Sequence, residues 1–323
     1  MPPAASRAAA VTFDAVVKRY GAIRAIDGLT LTIPTGQMFG LIGPDGAGKT
    51  TAIRLLCGLL HADDGTVRVL GHDPVRQHRA VARAVGYLSQ RFSLYGDLSV
   101  DENIAFFAEI HGVSRYEQRR TRLLELTQLA PFRHRLADRL SGGTKQKLAL
   151  ACTLVHEPRL IVLDEPTTGV DPVSRREFWK LLSEFLEMGI TILVSTPYLD
   201  EAERCSRVAL LHEGRLLAMD APDVLRASLP GRVVEVIAAD RDRAAAIIQQ
   251  EPGVEDVQMF GERTHVRVTE AAGSGAAARI AGRLSAAGVD VRSASEVPPS
   301  LEDVFIALLT RADSAPASAE GRS

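Results

Sequence analysis

The sequence predicts an α/β domain built on a largely parallel sheet, interrupted by a helical insertion and followed by a small α+β domain. Three observations carry this reading. From residue 11 to about 229, short apolar runs alternate with helical patterns, as strands buried between helix layers do. Between Ser99 and Leu140 the pattern is helical, with no strand-like run. After the turn pair Pro230-Gly231 the periodicity restarts in the order β-α-β-β-α-β.

At 323 residues the chain exceeds one average domain. Residues 1–10 read as a loose leader and 11–229 as the first domain, with its helical part at about 99–140. Residues 231–311 read as the second domain, of ferredoxin-like order, and 312–323 as a disordered tail by composition. Buried strands are expected at 38–42, 85–89, 160–163 and 190–195, each a short apolar run bounded by turn residues. In the second domain strands are expected at 232–238, 254–260, 264–269 and 289–293. Helices are expected at 241–250, 275–287 and around 301–309.

Hydrophobic residues make up 46% and charged residues 24%, a composition that supports a sizeable core. The net charge of −2 gives no general attraction to nucleic acid or anionic lipid. Arg119, Arg120 and Arg122 read as a solvated helix face. Cys57, Cys152 and Cys205 are scattered, which argues against a zinc site or disulfide framework and fits a reducing compartment. No stretch approaches the ~18–20 apolar residues of a membrane span, and the N-terminus lacks a signal-peptide pattern. The expectation is a cytoplasmic protein with at most peripheral membrane contact.

The chemistry begins at Gly43-Pro44-Asp45-Gly46-Ala47-Gly48-Lys49-Thr50, which satisfies G-x-x-x-x-G-K-[ST] at every fixed position. The run follows a predicted strand and opens a helix at Thr51. Its glycines let the backbone curl until successive N–H groups face phosphate oxygens, over the positive end of the helix. Lys49 can reach the β- and γ-phosphates, and the Thr50 hydroxyl can ligate Mg2+. A glycine-rich turn with a solvated lysine is the competing reading, and the strand–loop–helix setting disfavours it. Next, Leu160-Ile-Val-Leu-Asp164-Glu165-Pro166 places two carboxylates at a strand mouth. There Asp164 would hold Mg2+ through its water shell and Glu165 would polarise an attacking water. Alone, such carboxylates are commonly just solvated; the phosphate loop gives them meaning. Finally, Leu140-Ser141-Gly142-Gly143-Thr144-Lys145-Gln146 starts a helix and exposes backbone N–H groups, a second phosphate site. Ser141-Gly142-Gly143 by itself reads equally as a cap and turn.

Phosphate loop, LSGGTKQ, LDEP and Gly169-Val170-Asp171-Pro172, in that order, resemble the ABC transporter ATPases over roughly residues 11–220. The resemblance implies a P-loop NTPase of the ABC type, with ATP and Mg2+ bound. It implies that Ser141, Gly142 and Gly143, in the signature that ends at Gln146, reach the γ-phosphate held by a partner subunit, in a head-to-tail dimer. Tyr20 matches the aromatic that stacks on adenine, though a strand-end tyrosine packing on the surface remains open. Gln90 matches the glutamine that touches Mg2+ and couples to the helical insertion. Asp171 matches the aspartate that communicates across the dimer. One position departs from the pattern: Pro197 stands where the family has a histidine against the γ-phosphate, which puts the hydrolysis rate in doubt. The ending Pro299-Ser-Leu-Glu-Asp-Val-Phe305 resembles the multidrug (ABC-2 type) exporter ATPases. The implied role is the energising subunit of an export pump on the cytoplasmic side of the membrane. Its partners would be a second ATPase subunit and a separately encoded permease, with no nucleic acid. Two alternatives stand beside it: a soluble ABC ATPase of repair or translation, whose coiled coils or doubled cassettes are missing here, and an ATP-gated module with little turnover.

Overall fold

The computed structural model describes residues 8–90 and 94–314, and the chain divides into two compact units, Met1–Ala221 and Pro222–Ser323. The first unit opens with β1 (Ala9–Tyr20), β2 (Ile23–Pro34), β3 (Met38–Ile42), α1 (Lys49–Leu56), β4 (Asp64–Val69), α2 (His78–Ala84) and β5 (Val85–Leu88). Helices α3 (Val100–Ile110), α4 (Glu117–Leu126) and α5 (Gly142–Leu154) follow. The unit closes with β6 (Leu160–Asp164), α6 (Pro172–Glu187), β7 (Thr191–Thr196), α7 (Leu199–Ala202), β8 (Arg207–His212) and β9 (Arg215–Asp220).

The central sheet has the order β5-β6-β7-β3-β8-β9, parallel throughout except for β9. Every residue of β3, β6 and β7 is buried, as in strands covered on both faces. A second, antiparallel sheet runs β2-β1-β4. In it Leu29, Leu31 and Ile33 point inward while Thr30 and Thr32 face out. The helical insertion is present as expected, and α3 starts at a capping box in which Ser99 and Glu102 satisfy each other's backbone N–H groups.

The second unit contains α8 (Pro222–Ala227), β10 (Arg232–Ala238), α9 (Arg241–Ile248), β11 (Val254–Phe260), β12 (Arg263–Val268), α10 (Ala276–Ala286), β13 (Val291–Val297) and α11 (Leu301–Ser314). Its antiparallel sheet has the order β11-β12-β10-β13, the split β-α-β arrangement expected from the sequence. Val234, Val236, Ile248, Val266, Ile280 and Leu284 form its core. The start of α11 is fixed by Asp303, which accepts from the Ser300 N–H and hydroxyl at 2.7 Å each and lies 3.0 Å from His265 Nδ1.

Several boundaries differ from the expectation. β1 begins at Ala9, pairing with Pro34, and Ala10 is fully buried, so the last residues of the expected leader belong to the sheet. Residues 1–7 lie outside the described part. The division into units falls at Ala221 rather than near 229, because α8 packs against α11. The last strand starts at Val291, not 289: Val289 is buried, but its N–H closes a turn onto Leu284. Helix α11 continues to Ser314, into the expected tail; residues 315–323 lie outside the described part.

Candidate functional site

The parallel sheet presents the ends of β3, β6 and β7 side by side, and the loops leaving them build the site. Between β3 and α1 the chain turns through Gly43-Pro44-Asp45-Gly46-Ala47-Gly48. Two of these glycines are sterically required. A Cβ on Gly43 would lie 2.3 Å from the Leu211 carbonyl oxygen. At Gly48, φ is 98° and a Cβ would lie 2.5 Å from the Ala25 carbonyl oxygen. Lys49 then folds back under the loop. Its Nζ donates to the carbonyls of Gly43 at 2.8 Å and Pro44 at 3.0 Å, and sits 3.1 Å from Glu165 Oε1. Thr50 and Thr51 occupy the first turn of α1.

β6 delivers Asp164 opposite Ser195 of β7. Asp164 Oδ1 accepts from the Ser195 hydroxyl at 2.6 Å and from the Thr50 hydroxyl at 3.2 Å. Its Oδ2 is buried without any partner. Burial pushes the Asp164 carboxyl above its usual range; the two hydroxyls oppose the shift and the neighbouring Glu165 charge adds to it. A buried carboxylate oxygen with nothing to accept, beside a threonine hydroxyl, fits a hard divalent cation such as Mg2+. Glu165 has φ of 48°, a left-handed conformation unfavourable for a side chain of this kind. Its Oε2 accepts from Gln90 Nε2 at 2.8 Å and lies 3.5 Å from the Thr168 hydroxyl.

The phosphate loop, Gln90, Asp164 and Glu165 therefore come together as the sequence implies. The signature does not join them within this chain. Among the described residues no hydrogen bond links Ser141, Gly142, Gly143 or Gln146 to the phosphate loop. Ser141 caps α5 through the Thr144 N–H, and Gly143 is pressed on Ser174 of α6, where a Cβ would lie 2.3 Å from Oγ. Tyr20 is 46% exposed at the end of β1. Asp171 caps α6 by accepting from the N–H groups of Val173 and Ser174.

Three residues of the site went unnoticed in the sequence: Ser195, Thr167 and Glu201. Glu201, 1% exposed, accepts from the hydroxyls of Thr167 and Thr196 at 2.6 Å each. Two hydroxyl residues closing the apolar strand Thr191–Thr196 were the available signal.

Residues 26–168 match the ABC transporter family, and residues 221–309 match the C-terminal domain of DrrA1-3-like ATP-binding proteins. The Nod factor export ATP-binding protein I of Paraburkholderia xenovorans (strain LB400) is 39% identical over 312 residues, covering 94% of this chain and 98% of that protein. The chain belongs to the ABC transporter ATP-binding proteins. A second relative of this ABC ATPase is the probable multidrug ABC transporter ATP-binding protein YbhF of Escherichia coli (strain K12), 48% identical over 228 residues. That match covers 69% of this chain and 39% of YbhF, so the chain spans well under half of that relative's length. The solved ATP-binding subunit of an ABC transporter superposes with a TM-score of 0.61 at 30% identity, over 67% of this chain and 92% of that one. Among the described residues of this ABC ATPase no helix is long and apolar enough to cross a membrane.

Proposed function

We propose that this ABC ATPase binds Mg-ATP at its phosphate loop and drives an export permease. The observation that carries the reading is the buried Lys49–Glu165 pair at 3.1 Å, set among the loop carbonyls. Arriving phosphates can replace Glu165 as the counter-ion of Lys49 and release its carboxylate to polarise a water. Thr50, Asp164 and Gln90 would hold Mg2+, which when bound neutralises charge on the phosphate oxygens. Tyr20, exposed at a strand end with the Lys18 ammonium 5.8 Å from its ring centroid, would stack on the adenine. With no hydrogen bond from the signature to the loop of its own chain among the described residues, Ser141, Gly142, Gly143 and Gln146 would serve the nucleotide of a second ATPase subunit. The names of the relatives, multidrug ABC transporter and Nod factor export ATP-binding proteins, support the export reading; in it the chain works on the cytoplasmic side of the membrane against a separately encoded permease.

Glu165→Gln should still bind Mg-ATP, release phosphate at least about a hundredfold more slowly and elute as a dimer in Mg-ATP. A strictly monomeric profile at high concentration would sink the two-subunit arrangement, and undiminished phosphate release would remove Glu165 from its role. Pro197 favours a second reading, a nucleotide-gated module with scant turnover. Steady-state phosphate release from the wild type separates the two.

A further inference from the structure

We propose that Glu201 is a positioning residue for Glu165, an inference that rests on the hydrolytic role just assigned to that carboxylate. A buried carboxylate is costly unless its oxygens are satisfied, and a packed apolar side chain often serves stability as well. Glu201 is 1% exposed, and each of its oxygens accepts a hydrogen bond of 2.6 Å, Oε1 from Thr167 and Oε2 from Thr196. Arg175 Nε of α6 lies 3.6 Å from Oε1.

Thr167 and Thr196 come from the two segments bonded to Glu165 and Asp164, and Arg175 comes from α6. Thr167, itself 1% exposed, is two residues past Glu165 and anchors the turn that follows it: Val170 N–H bonds its carbonyl at 3.1 Å, and Thr168 N–H bonds the Glu165 carbonyl at 3.3 Å. Thr196 follows Ser195, which bonds Asp164 and takes the Glu165 N–H at 3.1 Å. Arg175 sits one turn into the helix capped by Asp171, with its guanidinium 4.8 Å from the Tyr198 ring centroid. Glu165 holds a left-handed backbone that a single peptide would abandon, so its surroundings must enforce it. Glu201 supplies that enforcement from behind, tying the turn of Glu165 to the end of β7. The donors are also fixed in sense. Thr196 Oγ1 already accepts the Tyr198 N–H at 3.1 Å, so its proton is directed to Glu201, an acceptor that a neutral amide reproduces on one side only.

The test compares Glu201→Gln, Thr167→Val, Thr167→Ser and the Glu201→Gln/Thr167→Val double variant in the full chain. Readouts are the kcat for ATP hydrolysis, the Kd for Mg-ATP and amide hydrogen exchange of residues 165–170 without nucleotide. Glu201→Gln and Thr167→Val should each lower kcat about ten- to a hundredfold while Kd stays within about threefold, the mark of lost placement. The double variant should be no worse than the poorer single one, because both cut the same link. Thr167→Ser, which restores the hydroxyl, should recover the rate. Exchange at 165–170 should speed up in Thr167→Val and not in Thr167→Ser. Wild-type kcat in Thr167→Val, additive losses, or affinity falling in step with rate would each overturn the proposal. Were the wild type to hydrolyse nothing, the assigned function would fall instead; exchange would still decide here, and unchanged protection in Thr167→Val would overturn the positioning role.

Discussion

Pro197 directly follows Thr196, the last residue of β7, at the position where the resemblance puts a histidine against the γ-phosphate. A side chain there could donate to the γ-phosphate as charge spreads over its oxygens, and proline has neither such a group nor an N–H. Losing one preorganised donor typically costs about 10²–10³ in rate. Pro197→His should therefore raise phosphate release by up to that factor and leave Mg-ATP affinity unchanged. A folded histidine variant that binds equally well and turns over no faster would show that the missing imidazole does not limit this site. At this scale the sequence was most legible where chemistry dictates spacing. Lys49, Thr50, Asp164 and Glu165 sit in short motifs whose neighbours fix their geometry. Ser195 and Glu201 were not legible, because their bonds to Asp164 and Thr167 depend on the register of β6 against β7 and on where α7 lies.

Helices α3 and α5 meet near a stacked pair, His111 and His156, with ring centroids 3.9 Å apart and planes within 9°. The pair borders a cavity of about 200 Å³ that His78, Cys57, Cys152 and Tyr87 also line. Burial, with a smaller contribution from the charge of His111, pushes His156 down to about 4; burial also lowers His111. The unfolded chain takes up these protons near pH ~6.5, the folded one only at lower pH. Below that point the unfolded state binds more protons, so the stability present above pH ~6.5 is lost as pH falls toward 4. His156→Phe keeps a ring in the stack and removes the titration. Its Tm should drop less than the wild-type Tm between pH 7.5 and 5; equal drops would mean that His156 contributes nothing to acid sensitivity. Among the elements, the all-buried strands β3, β6 and β7 and the mostly buried β5 were legible to within a residue or two, since a short apolar run has few other uses. The β2-β1-β4 sheet was missed although Leu29-Thr30-Leu31-Thr32-Ile33 alternates cleanly, because the stronger parallel-sheet pattern beside it drew the reading.

The molecule is two units, the first with two sheets and the second with one, and every residue proposed to contact phosphate lies in the first. A chain ending at Ala221 should fold and bind Mg-ATP with wild-type affinity, measured by nucleotide titration. A truncated protein that is folded but no longer binds would show that the second unit shapes the site. The turn pair Pro230-Gly231 marked the restart of strand periodicity, yet nothing local announces that α8 belongs with α11. The sheet order has a consequence for synthesis. Among the described strands, β3, which carries the phosphate loop, pairs only with β7 and β8, both made much later. At ~5–20 residues per second, the ribosome leaves Met38–Ile42 without either neighbour for on the order of ten seconds. During that interval a wholly apolar strand is an unpaired template on a nascent chain, and it is there, before any ATP is bound, that a chaperone has apolar backbone to shield.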